Sequence, residues 1–211
     1  MSMTKIICSL HWTPAEPLKK HLEENRDLIV PVFGGGRECM KLCNDEWLDK
    51  NVIPDDCCKD NISELNPILN ELTTLYLIYK NLRLLDGHTA NIGLCHYRRF
   101  FPREAQEVID TTDAIVASPI PLGVVGRQVT VEKQYELCHV KEDFDILKQT
   151  TADKGLLDEE AWDKWSNLGF LFAPCNMFIA KREVFNMFCK DLFKVALELP
   201  YKIDVEGRDD Y

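Results

Sequence analysis

The stretch Ile92-Gly93-Leu94-Cys95-His96-Tyr97-Arg98-Arg99-Phe100 (IGLCHYRRF) decides the reading of the fold. Its first half is apolar, as a strand entering a core would be. Its second half places a histidine, a tyrosine and two adjacent arginines behind that strand. Arginine is seldom buried without a partner, so the cations belong at the end of the strand rather than inside the core. Working outward, the segments on either side alternate between strand and helix patterns. Lys5 to Leu10 reads as a buried first strand that ends at His11-Trp12, and 14–26 reads as an exposed helix with Pro14 and Pro17 near its start. Leu28 to Phe33 is a second apolar run, ending in Gly34-Gly35-Gly36. Those glycines are either a flexible turn or a place of close backbone approach to a ligand. They lack the spacing of a dinucleotide or P-loop motif.

One long helix is expected from Asn66-Pro67, where asparagine suits the N-cap and proline the first helical position. Ile68, Leu69, Leu72, Leu75, Tyr76, Tyr79 and Leu82 then recur at helical spacing, and Gly87 ends the segment. A short acidic helix follows Pro102, and 113–118 reads as a strand. A largely helical stretch runs from Val131 to Thr150, and 159–168 is amphipathic with Trp162 and Trp165, read as packing residues. A strand is expected at 176–180, a helix at 181–199, and a polar, acidic tail from Pro200. Strands alternating with helices predict an α/β fold with a largely parallel sheet. In such sheets ligands bind beyond the carboxyl ends of the strands.

Composition narrows the function classes. The chain has 211 residues, 45% of them hydrophobic, and a formal net charge of −10. A chain of this length builds a real core. The acidic balance argues against a nucleic-acid partner, which needs a positive face to displace counterions. No apolar run approaches the roughly 18 residues a membrane span needs. No leader-like segment opens the chain, and the nine scattered cysteines fit a reducing cytoplasmic protein with free, mostly buried thiols. Cys39, Cys43, Cys57 and Cys58 cluster in sequence but lack the paired spacing of a zinc site.

The carboxyl-edge rule makes His96, Tyr97, Arg98 and Arg99 the leading candidates. A guanidinium meets phosphate oxygens as a two-pronged fork and keeps its charge at every relevant pH. Two of them could bind a diphosphate and stabilise it as a leaving group, with His96 donating a hydrogen bond or moving a proton. The competing reading pairs Arg98 and Arg99 with carboxylates of this acidic chain. Glu71, inside an apolar helix, is either a catalytic carboxylate or the partner of one arginine. Asn61 and Ser63 could touch a ligand or simply turn the chain. His139 could be a structural hydrogen-bonding group, and Asn176 could bind a hydroxyl or satisfy a loop.

Several segments together resemble a known family. They are Asp60-Asn61-Ile62-Ser63, the run Asn70 to Asn81 (NELTTLYLIYKN), Gly93 to Phe101 (GLCHYRRFF), Gln134-Tyr135 with His139, and Cys175 to Ile179 (CNMFI). In this order they resemble the bacterial family called domain of unknown function 4422, glycosyltransferase-like proteins of capsular and exopolysaccharide gene clusters. The resemblance spans about residues 4–199 and rests chiefly on the GL-x-HYRR core. It implies a GT-A-like, Rossmann-type sandwich and transfer of a sugar from a nucleotide-diphosphate sugar to a glycan acceptor. His96, Arg98, Arg99 and Glu71 would be catalytic. Asn61, Ser63, Thr73, Lys80, Tyr97, His139 and Asn176 would bind the donor or face the sugar and acceptor.

Most GT-A enzymes carry an Asp-x-Asp metal site after a central strand. Here that place reads His96-Tyr97-Arg98-Arg99, so fixed cations are expected in place of a metal and no cofactor is expected. The family's Trp-x-Trp-Lys-Asn is Leu77-Ile78-Tyr79-Lys80-Asn81 here. Relatives continue past the segment matching Asp209-Asp210-Tyr211, so the chain is expected to be one domain over 1–211 without their further C-terminal helix. Asp204 and Asp209 are secondary candidates for a base. The alternative function is a catalytically degenerate protein that only holds a nucleotide or glycan.

Overall fold

The structure is a computed structural model that describes residues 3–124, 127–171 and 176–204. Asp209 and Cys175 therefore lie outside the described residues. The strands are β1 (Met3–Leu10), β2 (Ile29–Phe33), β3 (Ile53–Pro54), β4 (Thr89–His96), β5 (Ala114–Val116), β6 (Ile120–Pro121), β7 (Gly123–Val124), β8 (Arg127–Gln128), β9 (Phe170–Leu171) and β10 (Phe178–Lys181). The helices are α1 (Glu16–Glu24), α2 (Gly36–Leu42), α3 (Glu46–Asn51), α4 (Asn66–Leu69), α5 (Leu72–Lys80), α6 (Ala105–Ile109), α7 (Val131–Cys138), α8 (Lys141–Asp153), α9 (Glu159–Ser166) and α10 (Arg182–Ala196).

The chain divides into two compact units, Met1–Val116 with Cys175–Cys189, and Ala117–Pro174 with Lys190–Tyr211. The first holds a six-stranded sheet in the order β3-β2-β1-β4-β10-β5. The pairs β3–β2, β2–β1 and β1–β4 are parallel, while β10 runs antiparallel between β4 and β5. This is the mostly parallel α/β sheet predicted. Ile6, Ile7, Cys8 and Leu10 of β1 and Ile92, Leu94 and Cys95 of β4 are all buried, as central parallel strands covered on both faces should be. Each such aliphatic side chain contributes about 1.5–3 kcal/mol by leaving water. Gly93 serves the antiparallel neighbour: a Cβ there would meet the Phe178 carbonyl at 2.5 Å, so only glycine lets β10 close on β4.

The second unit is built on Leu122, Val131, Phe144 and Trp162, with Tyr135, Leu147 and Trp165 packed against them. Trp162 meets Phe144 edge-on at 5.2 Å and Trp165 at 5.0 Å, so both indoles are packing residues. Its small strands pair as β6–β9 and β7–β8.

Three expectations need correction. The helix expected from Asn66 up to Gly87 is instead two helices, α4 and α5, broken at Asn70, whose φ of 47° leaves the helical region, and α5 ends at Lys80. The helix expected over 131–150 is likewise split into α7 and α8 at His139-Val140, both of which have extended backbone. The thiols are not mostly buried: among the described cysteines Cys8, Cys95 and Cys189 are, while Cys39, Cys57 and Cys138 are exposed. Among the described residues no helix is long and apolar enough to cross a membrane.

Candidate functional site

Parallel pairing brings the carboxyl ends of β1 and β4 side by side, with Ser9 opposite His96. A cavity of about 310 Å³ opens there, between those strand ends and the α4–α5 break. Ser9, His11 and Trp12 line it from β1 and the turn after it, and Asn66, Asn70 and Glu71 from the break. Cys95, His96 and Tyr97 line it from β4.

The turn after β4 is tight. Arg99 N–H donates to the His96 carbonyl at 3.0 Å, so the backbone reverses within His96–Arg99 and throws the side chains outward. Arg98 is exposed, and its guanidinium lies over the Tyr97 ring, 4.7 Å from the centroid. Tyr97 in turn meets Trp12 edge-on at 4.6 Å. A guanidinium on an aromatic face gains roughly 0.5–1 kcal/mol at an exposed site, and it is pre-oriented by that contact. Among the described residues no carboxylate forms an ion pair with Arg98.

Glu71 sits at the helix break, half-buried. It accepts a hydrogen bond from Asn176 Nδ2 at 2.6 Å, and among the described residues no ion pair joins it to Arg98. Asn70 and Asn176, on either side of it in space, have φ of 47° and 53°. Asparagine is the non-glycine residue that tolerates such angles best, yet each still costs about 1 kcal/mol or more. Backbone held in this way at two points around one carboxylate is a mark of functional sites.

Both imidazoles of the cavity are pushed below the usual histidine value. Burial is the main cause for His11, opposed by the Glu71 carboxylate, a hydrogen bond with Asn66 and the Asp55 carboxylate. Burial again leads for His96, helped by the Arg98 and Arg99 charges and opposed by Glu71. Both are therefore neutral at pH 7, able to donate from one nitrogen and accept at the other. His11 Nε2 lies 3.3 Å from the Ser9 hydroxyl.

The structure brings together Glu71, His96 and Tyr97 in the cavity, with Arg98 on the same turn and Asn176 reaching it through Glu71. Thr73 is buried just below, accepting from Asn66 Nδ2 at 2.9 Å and donating to the Asn70 carbonyl at 3.1 Å. Asn61 and Ser63 do not join them. Asn61 turns its own loop, donating to the Cys58 carbonyl at 2.7 Å and accepting from the Ser63 amide at 3.2 Å. Lys80 stands at the far end of α5, nine residues from Glu71, pairing with Asp60 at 3.4 Å. At about 1.5 Å per residue that is more than two helical turns away. His139 belongs to the second unit, where its ring packs on Tyr135 at 4.7 Å.

Sequence reasoning passed over Ser9, His11 and Trp12 as site residues. They follow from the same rule that selects His96, since they end the neighbouring parallel strand. Among the described residues no three of His, Cys, Asp and Glu gather to hold a metal ion.

Comparison with curated proteins finds no match. Among solved structures, the fold is similar to the apo structure of the bifunctional glycosyltransferase WbbM, with a TM-score of 0.71 and 18% identity over 97% of this chain. The chain spans 38% of that protein's length. The family model for domain of unknown function 4422 matches residues 19–211, and with that extent of match the chain belongs to the DUF4422 family.

Proposed function

We propose that this protein is a glycosyltransferase that moves a sugar from a nucleotide-diphosphate sugar to a glycan acceptor, the whole of 1–211 acting as one GT-A-like catalytic domain in the cytoplasm. The observation that carries the reading is Glu71: among the described residues it is the one carboxylate lining the cavity, it accepts from Asn176, and it shares the cavity with the neutral imidazoles of His11 and His96, while Arg98 lies over Tyr97 of the same lining. Arg98 and Arg99 bind the diphosphate. Glu71 takes the proton of the acceptor hydroxyl as its oxygen bonds to the anomeric carbon. The bond from that carbon to the diphosphate breaks, and the electron pair leaves with the phosphate oxygen, where the guanidinium charge stabilises it. His96 donates a hydrogen bond within the same cavity. A single displacement of this kind inverts the anomeric centre.

The arginines at the end of β4 do not suit a divalent cation, because guanidinium groups do not ligate a metal, and among the described residues Glu71 is the one carboxylate that lines the cavity. The reading is metal-independent. Likeness of fold to a glycosyltransferase supports it, as does an acidic surface poorly suited to nucleic acid.

A thermal-shift panel of nucleoside diphosphates and nucleotide sugars, run with and without excess EDTA, tests donor class and metal need together. Stabilisation and transfer that persist in EDTA are expected, and turnover should be lost in Arg98→Ala and Arg99→Ala. Strict dependence on added manganese sinks the metal-free clamp. Stabilisation without transfer would identify a binding protein instead.

A further inference from the structure

Asn66 was expected to cap a helix, and the structure uses it otherwise. Its Nδ2 donates to the Asn70 carbonyl and to Thr73 Oγ1, both at 2.9 Å. Its side chain lies beside the His11 ring, both within 3 Å of where a Cβ on Gly34 would stand. Asn66 thus ties the end of β1 to the break that precedes Glu71. Gly34 makes the tie possible: a Cβ at Gly34 would stand 2.5 Å from Asn66 Nδ2 and 2.9 Å from the His11 ring. The bare glycine leaves the space in which the two side chains meet.

The break itself needs holding. Asn70 has φ 47° and ψ −127°, a conformation that favours glycine, and the sequence on both sides is helix-forming. Left alone, α4 and α5 would gain by joining through Asn70. The Asn66 amide opposes that by fixing the Asn70 carbonyl, and Thr73, 1% exposed, braces it from below. A helix continued through Asn70 would swing Glu71 onto another face.

We infer that Asn66, seated against Gly34 and His11, is the positioning residue that keeps the α4–α5 break open and so aims Glu71 into the cavity. The inference deepens the transferase reading only in what Glu71 does there; the aim of the carboxylate stands on the contacts alone.

NMR titration of the histidine ring protons in the intact chain tests it without any substrate. His96 faces Arg98, Arg99 and His11, all lowering its pKa, and Glu71, which raises it. His11 faces Glu71 and Asp55. Glu71→Gln should therefore lower the pKa of His96. Asn66→Ala should lower it in the same direction by at least half as much, although it removes no charge, because Glu71 has turned away. Gly34→Ala pushes the Asn66 amide aside while removing no polar group, and should do likewise. A fall in Asn66→Ala with a native melting profile suffices; if that variant does not fold, Gly34→Ala decides. An unchanged His96 in the deciding variant overturns the inference, and so does an unchanged His96 in Glu71→Gln. A fall in all three with no transfer of any sugar would keep the positioning role and sink the transferase reading.

Discussion

Two turns leave the same edge of the sheet, Gly34–Gly36 after β2 and His96–Arg99 after β4, and each looks ready for an anion. The glycine turn presents amides at the start of α2, the arrangement that cradles phosphate in many enzymes. Here those amides are already taken. Gly36 N–H donates to Asp55 Oδ1 at 2.7 Å, Gly35 N–H to Asp55 Oδ2 at 3.2 Å, and Arg37 N–H to Asp56 Oδ2 at 2.9 Å. Asp55 is fully buried. The protein's own carboxylates fill the place a phosphate would take. The arginine turn spends its backbone on itself and leaves the Arg98 guanidinium exposed over Tyr97. Of two features with the same apparent chemistry, one has its amides filled by the protein's own carboxylates and the other leaves a guanidinium exposed.

The largest test of that contrast concerns Glu71, the proposed base in the cavity beside the open turn. Glu71→Gln keeps the bond partner for Asn176 but cannot accept a proton. Transfer should fall by about a thousandfold, with donor binding retained. A loss of binding instead of rate would make Glu71 a donor ligand.

Asp55→Ala attacks the closed turn. A buried amide at Gly36 and a partly buried one at Gly35 lose their acceptor, and the chain should lose about 2–4 kcal/mol of stability in urea unfolding. If stability were unchanged and nucleoside diphosphate binding rose, the glycine turn would be an anion site after all.

Arg98→Ala should show the reverse pattern. A charge-assisted bond to phosphate is worth roughly 1.5–3 kcal/mol, so binding of the best nucleoside diphosphate from the thermal-shift panel should weaken about 10- to 100-fold. Stability should change by less than about 0.5 kcal/mol, because the side chain is exposed. Calorimetry at two salt concentrations sharpens this, since an exposed cation loses affinity as salt rises.

The smallest expected effect is on pH. His11 and His96 have folded pKa values below their unfolded ones, so the unfolded chain binds more protons as pH drops through the histidine range. Their contribution to stability is present above about pH 6.5 and is lost below it. Between about pH 7.5 and pH 5.5 the wild type should lose more of its melting temperature than a His11→Gln, His96→Gln variant. Equal losses would mean the imidazoles are not held neutral by the fold.

Much of the site was legible as strand ends. The apolar run Ile92–Cys95 had to be a central strand, and the rule that parallel sheets bind at their carboxyl edge picked out His96 to Arg99. Glu71 and Asn176 were candidates from the residues themselves, each with a structural alternative, and the family resemblance gave both an expected place in the site. The breaks within the two expected helices were not legible, because an apolar stripe runs straight through Asn70 and through His139-Val140. Nor could sequence set apart Lys80, which shares the NELTTLYLIYKN run with Glu71 but pairs with Asp60, or Asn61 of the Asp60–Ser63 segment, which donates to the Cys58 carbonyl.

The sequence by itself determined the α/β class, the burial of β1 and β4, and the presence of two cations where a sheet meets solvent. Those depend on local pattern and on general rules of strand twist and burial. Tertiary structure alone decided that the glycine turn is filled by Asp55 and Asp56, that Glu71 turns to Asn176 and not to Arg98, and that Asn66 reaches His11 past Gly34. Each of those contacts joins residues far apart in the chain or across a backbone break, and only the folded sheet sets their distance.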